Sequence, residues 1–425
     1  MRRPGDGTTP AGTWGDWLAP AEAWQRVRDV WQPALVGQES VPLAGAHGRV
    51  LAQDVRAPAD SPAFDRSAMD GYAVRAADTA AATPDVPARL AYAGDVPMGA
   101  ASPIAVGPGQ AAWVATGSMI PPGADSVVMV ERTTREGDRV LIRQAVKPGD
   151  NVIRRGDDLR AGDLVLRAGR RVRPHDVAAL ASMGLAQVPV RRRPRVAIIA
   201  GGDELVSPGE PLAPGQIYDA NSYAMAGQID EWGGEPAILP RVPDRPEDVR
   251  AALQRAVGGA DVVLLSGGSS VGIKDLSAEA IDAVGRPGVL VHGVAMRPAR
   301  PTVLGVVDGV LVIGIPGNPV SAMIACEVFA RPALEALLGV QPARQAGTMG
   351  EYSTQGRLTG RVRSQVGRRD YVRVRLERTA DGVAVHPVPG GSNAIRSMVD
   401  ADGLLVVPAE REALEEGEPV EVRLF

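Results

Sequence analysis

Three short stretches of this chain carry glycine, hydroxyl and carboxylate groups in an arrangement suited to binding an anion and a hard cation. Each follows an apolar run: AGGDEL after RVAIIA (195–200), SGGSSVGIKD after DVVLLS (261–266), and IPGNPVSA after VLVIGI (310–315). In an open parallel sheet every strand delivers its following loop to the same edge, so all three would open together. Glycine lets backbone N–H groups approach a ligand, and a helix start behind it adds unpaired N–H groups and a positive dipole end. Gly267, Gly268 and Gly272, with Gly317 and Asn318, are therefore candidates for cradling phosphate. Ser269, Ser270 and Ser321 would donate hydroxyl hydrogen bonds to the anion. One such loop is explained by packing alone; three in one chain point to a phosphate-bearing substrate.

Asp203 and Glu204 lie in the first loop and Asp275 just after the second. They suit Mg²⁺, which takes one or two carboxylates together with substrate phosphate. The alternatives are helix capping for Asp275 and ion pairing with a local arginine for Asp203 and Glu204. In MRPARP, Arg297 and Arg300 flank a proline-stiffened turn, where planar guanidinium groups either grip an oxyanion in bidentate fashion or stay solvated on the surface. Other chemistries are set aside. No G-x-x-x-x-G-K-[ST] occurs, no G-x-G-x-x-G follows a strand, and no G-x-S-x-G marks a nucleophile elbow. His47, His175, His292 and His386 are widely separated, and Cys326 is alone, which excludes an intrachain disulfide and any cysteine-based zinc site.

The elements that must position these loops follow from length and pattern. At 425 residues, the chain suggests about three domains at roughly 150 residues each. A net charge of −4 argues against wrapping nucleic acid, and all of the 46 basic residues except Lys147 and Lys274 are arginine, a bias assigned to genome composition. The lone cysteine fits a reducing cytoplasm. The N-terminus lacks the apolar segment of a signal peptide, and no run approaches 18 apolar residues, so neither export nor a membrane span is expected. Residues 1–20 read as a disordered lead-in. A helix begins at Pro20, with Ala23, Val27, Val30 and Trp31 at helical spacing before Pro33. Short β-like runs (RVLAQDV, QAAWVAT, DSVVMVE, DLVLRAG) fill 41–190, with a helix over RPHDVAALASMG, and RRRPR at 191–195 marks a junction. Strands alternate with helices from 195 to 340, predicting a doubly wound α/β domain. Short alternating strands return beyond 345, enough for a small barrel or sandwich.

Six motifs, in order, resemble the molybdopterin molybdenumtransferase family, which is related to the C-terminal domain of gephyrin and the E domain of plant Cnx proteins. They are SPAFDRSAMDGYAVRAAD (61–78), ATGSMIPPGADSVVMVE (115–131), NVIRRGDDLRAGD (151–163), GGDELVSPGEPLAPGQIYDANS (201–222), SGGSSVG (266–272) and IPGNPVSA (315–322). The resemblance runs from about residue 22 to the C-terminus. It implies a multidomain α/β plus β fold: a discontinuous N-terminal domain (21–57 and 149–190), an inserted β domain (58–148), the doubly wound α/β domain (191–342) and a C-terminal β-barrel (343–425).

The activity implied is insertion of molybdate into adenylyl-molybdopterin with release of AMP, assisted by Mg²⁺ on Glu204 and Asp275. The substrate would come from a molybdopterin adenylyltransferase, and the product would pass to molybdoenzymes or their chaperones. The resemblance further implies an elongated homodimer whose cleft joins the α/β domain of one subunit to the β domain of the other. Carried over motif by motif, the site comprises Asp70 (AMDG), Thr116 (ATG), Asp158 (RRGDD), Glu204 (GDE), Asp244 (PDRPE), Asp275, and Pro316 and Pro319 (PGNP), with Arg297, Arg300, Arg368 (GRRDY) and Ser392 (GGSN) for molybdate. Where the family has K-P-G-K-P, this chain has Arg297-Pro-Ala-Arg300-Pro. Lysines usual near that motif and after Asp275 appear as Gly293 and Ala278, and the first arginine of a usual triple as Ile153. Two other readings remain: a non-catalytic molybdopterin or molybdate scaffold, and the sister adenylyltransferase, whose pattern GGSSVGIKDLSAEA partly shares. Asp70, Thr116 and the flanking β regions weigh against the latter.

Overall fold

The computed structural model describes residues 17–267, 276–340 and 353–425. Its centre is a six-stranded sheet in the order Glu235–Ile238, Arg195–Ala200, Val262–Ser266, Val310–Ile315, Val303–Val307, Pro287–His292. The first four strands are mutually parallel. Alternate residues of the central strands feed two cores. Val196, Ile198, Leu264 and Ile313 meet Met225, Ile229 and Val320 on one face, while Ala197, Ile199, Leu265 and Val312 meet Leu253 and Ile281 on the other. Burial on both faces is why these runs are continuously apolar rather than alternating.

The far edge departs from a purely parallel sheet. Val303–Val307 and Val310–Ile315 form an antiparallel hairpin turned by Asp308 and Gly309, both at positive φ, the Asp-Gly signature of a two-residue turn. The helix Pro20–Val30 covers this edge: Ala23, Trp24 and Val27 enter the α/β core, and the Trp31 indole donates to Gly309 O at 3.1 Å. Grouped on sequence with 149–190, this helix thus buries its apolar face in the α/β domain.

The discontinuous domain is tied by antiparallel pairs between distant segments, Gln38–Pro42 with Gln187–Arg191 and Val55–Arg56 with Leu164–Leu166. Of the run RVLAQDV only its last residue, Val55, enters a strand. Val50 and Leu51 make only isolated bridges to Arg171 and Val190; their side chains go to different cores, Leu51 to a small one with Leu180 and Val188 and Val50 to the α/β core. Within 58–148 lies a second six-stranded sheet, in which Gly71–Val74 sits between Ser126–Met129 and Gln110–Val114.

At the C-terminus, Arg369–Thr379, Gly382–Pro387, Ser353–Leu358, Pro419–Leu424 and Gly403–Val407 close into a five-stranded barrel around Val374, Val385 and Val422. The short strand Met296–Arg297 leaves the α/β domain and pairs in parallel with Arg369 and Asp370 of that barrel. This junction delivers the arginine turn to the rim of the barrel.

Candidate active site

The three glycine loops meet. Gly201 N donates to Ser266 O at 2.7 Å and Gly267 N to Ile315 O at 3.4 Å, so the loops after all three central strands are cross-tied. Gly267 has φ +104, and a Cβ on it would stand 2.2 Å from Gly201 O, an approach only glycine permits. The Asn221 amide donates to Gly317 O at 2.7 Å, and the Ser277 hydroxyl to Gly267 O at 3.0 Å. Asn318 caps the helix Pro319–Ala325; Pro319 occupies its first turn, Pro316 precedes the cap, and Ser321 is buried behind it. Gly268, Ser269, Ser270, Gly272 and Asp275 lie outside the described residues.

Carboxylates crowd the same edge. The Asp244 oxygen Oδ1 lies 3.6 Å from where a Gly201 Cβ would stand, and Glu204 Oε2 lies 2.8 Å from the equivalent point on Gly202. Although Asp244 is an exposed residue overall, desolvation raises its carboxyl above the ordinary aspartate value, Glu204 and then Asp203 raise it further, and the Asp203 amide opposes them. No group of three His, Cys, Asp or Glu side chains among the described residues closes into a metal cage. A hard cation that keeps water and substrate oxygens needs no such cage, so one or two of these carboxylates fit it.

A second, cationic corner forms where the barrel meets the α/β domain. Val320 N donates to Ser392 O, and the Asn318 amide to the Ser392 hydroxyl, both at 3.0 Å, which seats the GGSN loop on the PGNP loop. Arg297 is exposed, 4.0 Å from the buried Asp370 carboxylate. Arg368 is committed to that same carboxylate at 2.8 Å, which neutralises it. Arg373, buried in the barrel wall, donates from Nη2 to Gly390 O, while its Nε has no partner. Burial lowers its pKa, and the nearby Arg297 charge lowers it further. Arg373 thus carries its charge beside Gly390, two residues before Ser392, with the Arg297 charge near enough to repel it. Sequence reading missed Arg373: in DYVRVRLE it is one arginine among alternating valines, and nothing local says that it points inward. Between Arg297 and Arg300, Ala299 is buried at φ +77, a left-handed conformation usually reserved for glycine.

Asp70 and Thr116 form a pair on the exposed rim of the inserted domain. Asp70 Oδ1 accepts from the Thr116 amide at 2.7 Å and from its hydroxyl at 2.9 Å. These two bonds, the amide first, hold the Asp70 carboxyl below its ordinary value. Neither residue bonds to the α/β domain among the described residues. Asp158 is exposed on the RRGDD loop, its amide donating to Ser61 O at 3.1 Å; Arg154 and Arg155 pin that loop to Asp65 and Asp60. Among the described residues of the predicted site, Gly267, Gly317, Asn318 and Ser392 are linked at the α/β edge and the barrel and Arg297 and Arg368 share the Asp370 carboxylate, while Asp70, Thr116 and Asp158 stand apart.

Comparison with known proteins accounts for nearly all of the chain. The family model described as the MoeA N-terminal region (domain I and II) matches residues 18–184. One described as a probable molybdopterin binding domain matches 197–336, and the MoeA C-terminal region (domain IV) matches 355–425. Molybdopterin molybdenumtransferase 2 of Mycobacterium tuberculosis is 40% identical over 379 residues, covering 87% of this chain and 91% of the relative. Molybdopterin molybdenumtransferase of Bacillus subtilis is 34% identical over 395 residues, covering 91% and 90%. The crystal structure of the molybdopterin biosynthesis moeA protein from Pyrococcus horikoshii OT3 matches with a TM-score of 0.83 at 32% identity, covering 96% of this chain and all of that one.

Proposed function

The chain belongs to the molybdopterin molybdenumtransferase family, and from that premise we propose that it joins molybdate to the dithiolene of adenylyl-molybdopterin and releases AMP. The observation that carries this reading is the seating of the barrel's Ser392 loop on the PGNP glycine loop, with the Arg297 strand joined to the same barrel. A phosphate ester would be met by the backbone amides of the glycine loops, those of residues 267–272 and of Gly317 and Asn318. A tetrahedral oxyanion fits the corner made by Arg297, Arg373 and Ser392, with Arg300 at the other end of the turn. No protein nucleophile is needed. The residues bind and orient two anions, so preorganised donors and charges supply the catalysis.

Glu204 and Asp244, with Asp275, would hold Mg²⁺, which supplies neutralising charge to a phosphoanhydride under cleavage. Asp70, kept ionised by Thr116, is an acceptor rather than an acid. Its exposure, and its separation from the α/β loops, support a homodimer in which it reaches the cleft of a second copy. The reaction would follow an adenylyltransferase and feed molybdoenzymes or their chaperones in the cytoplasm. Among the described residues no helix is long and apolar enough to cross a membrane.

The test is AMP release from adenylyl-molybdopterin with Mg²⁺, with and without molybdate. Molybdate-dependent release is expected. Binding without release would leave a scaffold, and consumption of ATP and molybdopterin without molybdate would leave an adenylyltransferase.

A further inference from the structure

The helix that starts at the PGNP loop, Pro319–Ala325, runs without a break into a π turn over Cys326–Ala330. Such turns are rare and are met most often at functional sites. The carboxylate of Glu327, the second residue of this one, is shared by two arginines. Arg331 lies further along the same helical run and reaches Oε1 from Nη1 at 3.1 Å. Arg423 belongs to the last strand of the barrel and makes an ion pair with the same oxygen through Nη2; the Arg423 and Glu327 side chains are only 7% and 12% exposed. This buried pair therefore crosses from one domain to the other.

Strand register shows which face of the barrel carries it. Arg373, Leu404 and Arg423 are direct neighbours on three adjacent strands. Val374, Leu405 and Val422, next to them in sequence, fill the barrel core, so this row points away from that core. Leu404 enters the α/β core together with Tyr371 and Met398. The barrel thus grips one helical run at both ends. Ser392 O accepts from Val320 N at its start, and Arg423 meets Glu327 in the turn that follows it.

We propose that Glu327 is a positioning residue for molybdate capture: by holding Arg423 it seats the barrel on the helix, so that Ser392 stays against the PGNP loop. The proposal rests on the reading of Ser392 as a molybdate residue. The seating itself can be followed without substrate. An amide in the first turn of a helix has no acceptor within that helix, so the bond from Val320 N to Ser392 O lasts only while the barrel loop is in place.

The experiment uses the full chain and two variants that each take one arginine from Glu327 and leave it the other. Arg423→Met removes the partner across the domain junction, and Arg331→Met the partner within the helical run. Amide hydrogen exchange at Val320 should quicken about tenfold in Arg423→Met and stay at the wild-type rate in Arg331→Met. In the AMP-release assay Arg423→Met should raise KM for molybdate about fivefold, the fold-change of one weakened hydrogen bond. Inhibition by AMP should stay as in wild type, because the glycine loops belong to the α/β domain alone. Arg331→Met should move neither constant. Glu327→Gln, which keeps the shape and removes the charge, should reproduce both changes of Arg423→Met. If exchange at Val320 is unchanged in Arg423→Met and Glu327→Gln, or if Arg331→Met matches them, the positioning role is overturned. If exchange quickens but KM for molybdate does not rise, the loop is unseated without consequence for molybdate; the underlying reading of Ser392 then falls, and the proposal with it.

Discussion

Two carboxylates of the candidate site, Asp70 in the inserted β domain and Asp244 at the α/β edge, are tuned in opposite directions. Asp70 receives an amide and a hydroxyl from Thr116 on one oxygen, and these neutral donors hold it ionised. Asp244 gains one opposing amide, from Asp203, against burial and the charges of Glu204 and Asp203. The first is satisfied by its own domain and has a free oxygen to offer outward. The second sits among like charges that only the Asp203 amide, among the described residues, opposes. In the proposed function the first would face a partner surface and the second would hold a cation.

The largest effect that would break this comparison is on turnover. Asp70→Asn keeps the shape and the Thr116 bonds but removes the charge, and kcat should fall by roughly a hundredfold, the low end for loss of a positioned acid–base group. The thermal midpoint at neutral pH should fall only slightly, because the ionised form that Thr116 favours contributes a little stability but the exposed carboxylate supports no core. Because its pKa is depressed, the ionised form persists from neutral pH to below the ordinary 3.8, so no activity limb from Asp70 should appear between pH 5 and 8. A loss under threefold would remove Asp70 from the chemistry.

Next in size is complementation. If Asp70 serves a cleft in the other subunit, then Asp70→Ala and Arg297→Ala, each inactive alone, should recover about a quarter of wild-type activity when unfolded and refolded together. Half of the dimers would be mixed, and each of those would hold one intact cleft. If Asp70 works within its own chain, the mixture stays inactive.

How much of this could be read from the residues depended on how local each signal was. RVAIIA and VLVIGI became strands at their predicted bounds, Arg195–Ala200 and Val310–Ile315, because a run buried on both faces announces itself. The crossing of the three loops followed from strand direction alone. What was not legible depended on contacts distant in sequence. RVLAQDV has the composition of a strand, yet Leu51 is claimed by a core with Leu180 and Val188 and Val50 by the α/β core, partners more than a hundred residues away. The helix at Pro20 was recognised by its period, but its docking on the sheet edge rests on Trp24 and Val27 fitting a surface the pattern cannot name. Arg368 and Arg373 are five residues apart on one barrel wall. Only the buried Asp370 beside Arg368 separates a neutralised guanidinium from an uncompensated one.

The smallest effect tests the other half of the comparison without any turnover. A carboxyl whose folded-state pKa lies above its unfolded value adds stability only while protonated, and that contribution is lost as the pH rises through the folded value. At pH 7 without divalent cations, Asp244 is therefore a net cost. Asp244→Asn should raise the thermal midpoint slightly, and the gain should vanish below the ordinary aspartate value of 3.8, where wild type is protonated as well. Adding Mg²⁺ at pH 7 should reverse the order, because a cation held by Glu204 and Asp244 stabilises wild type by mass action and the variant less. If Asp244→Asn gains nothing at pH 7, the crowding of charge is not felt. If Mg²⁺ stabilises both proteins equally, the cation binds elsewhere and the α/β edge loses its metal.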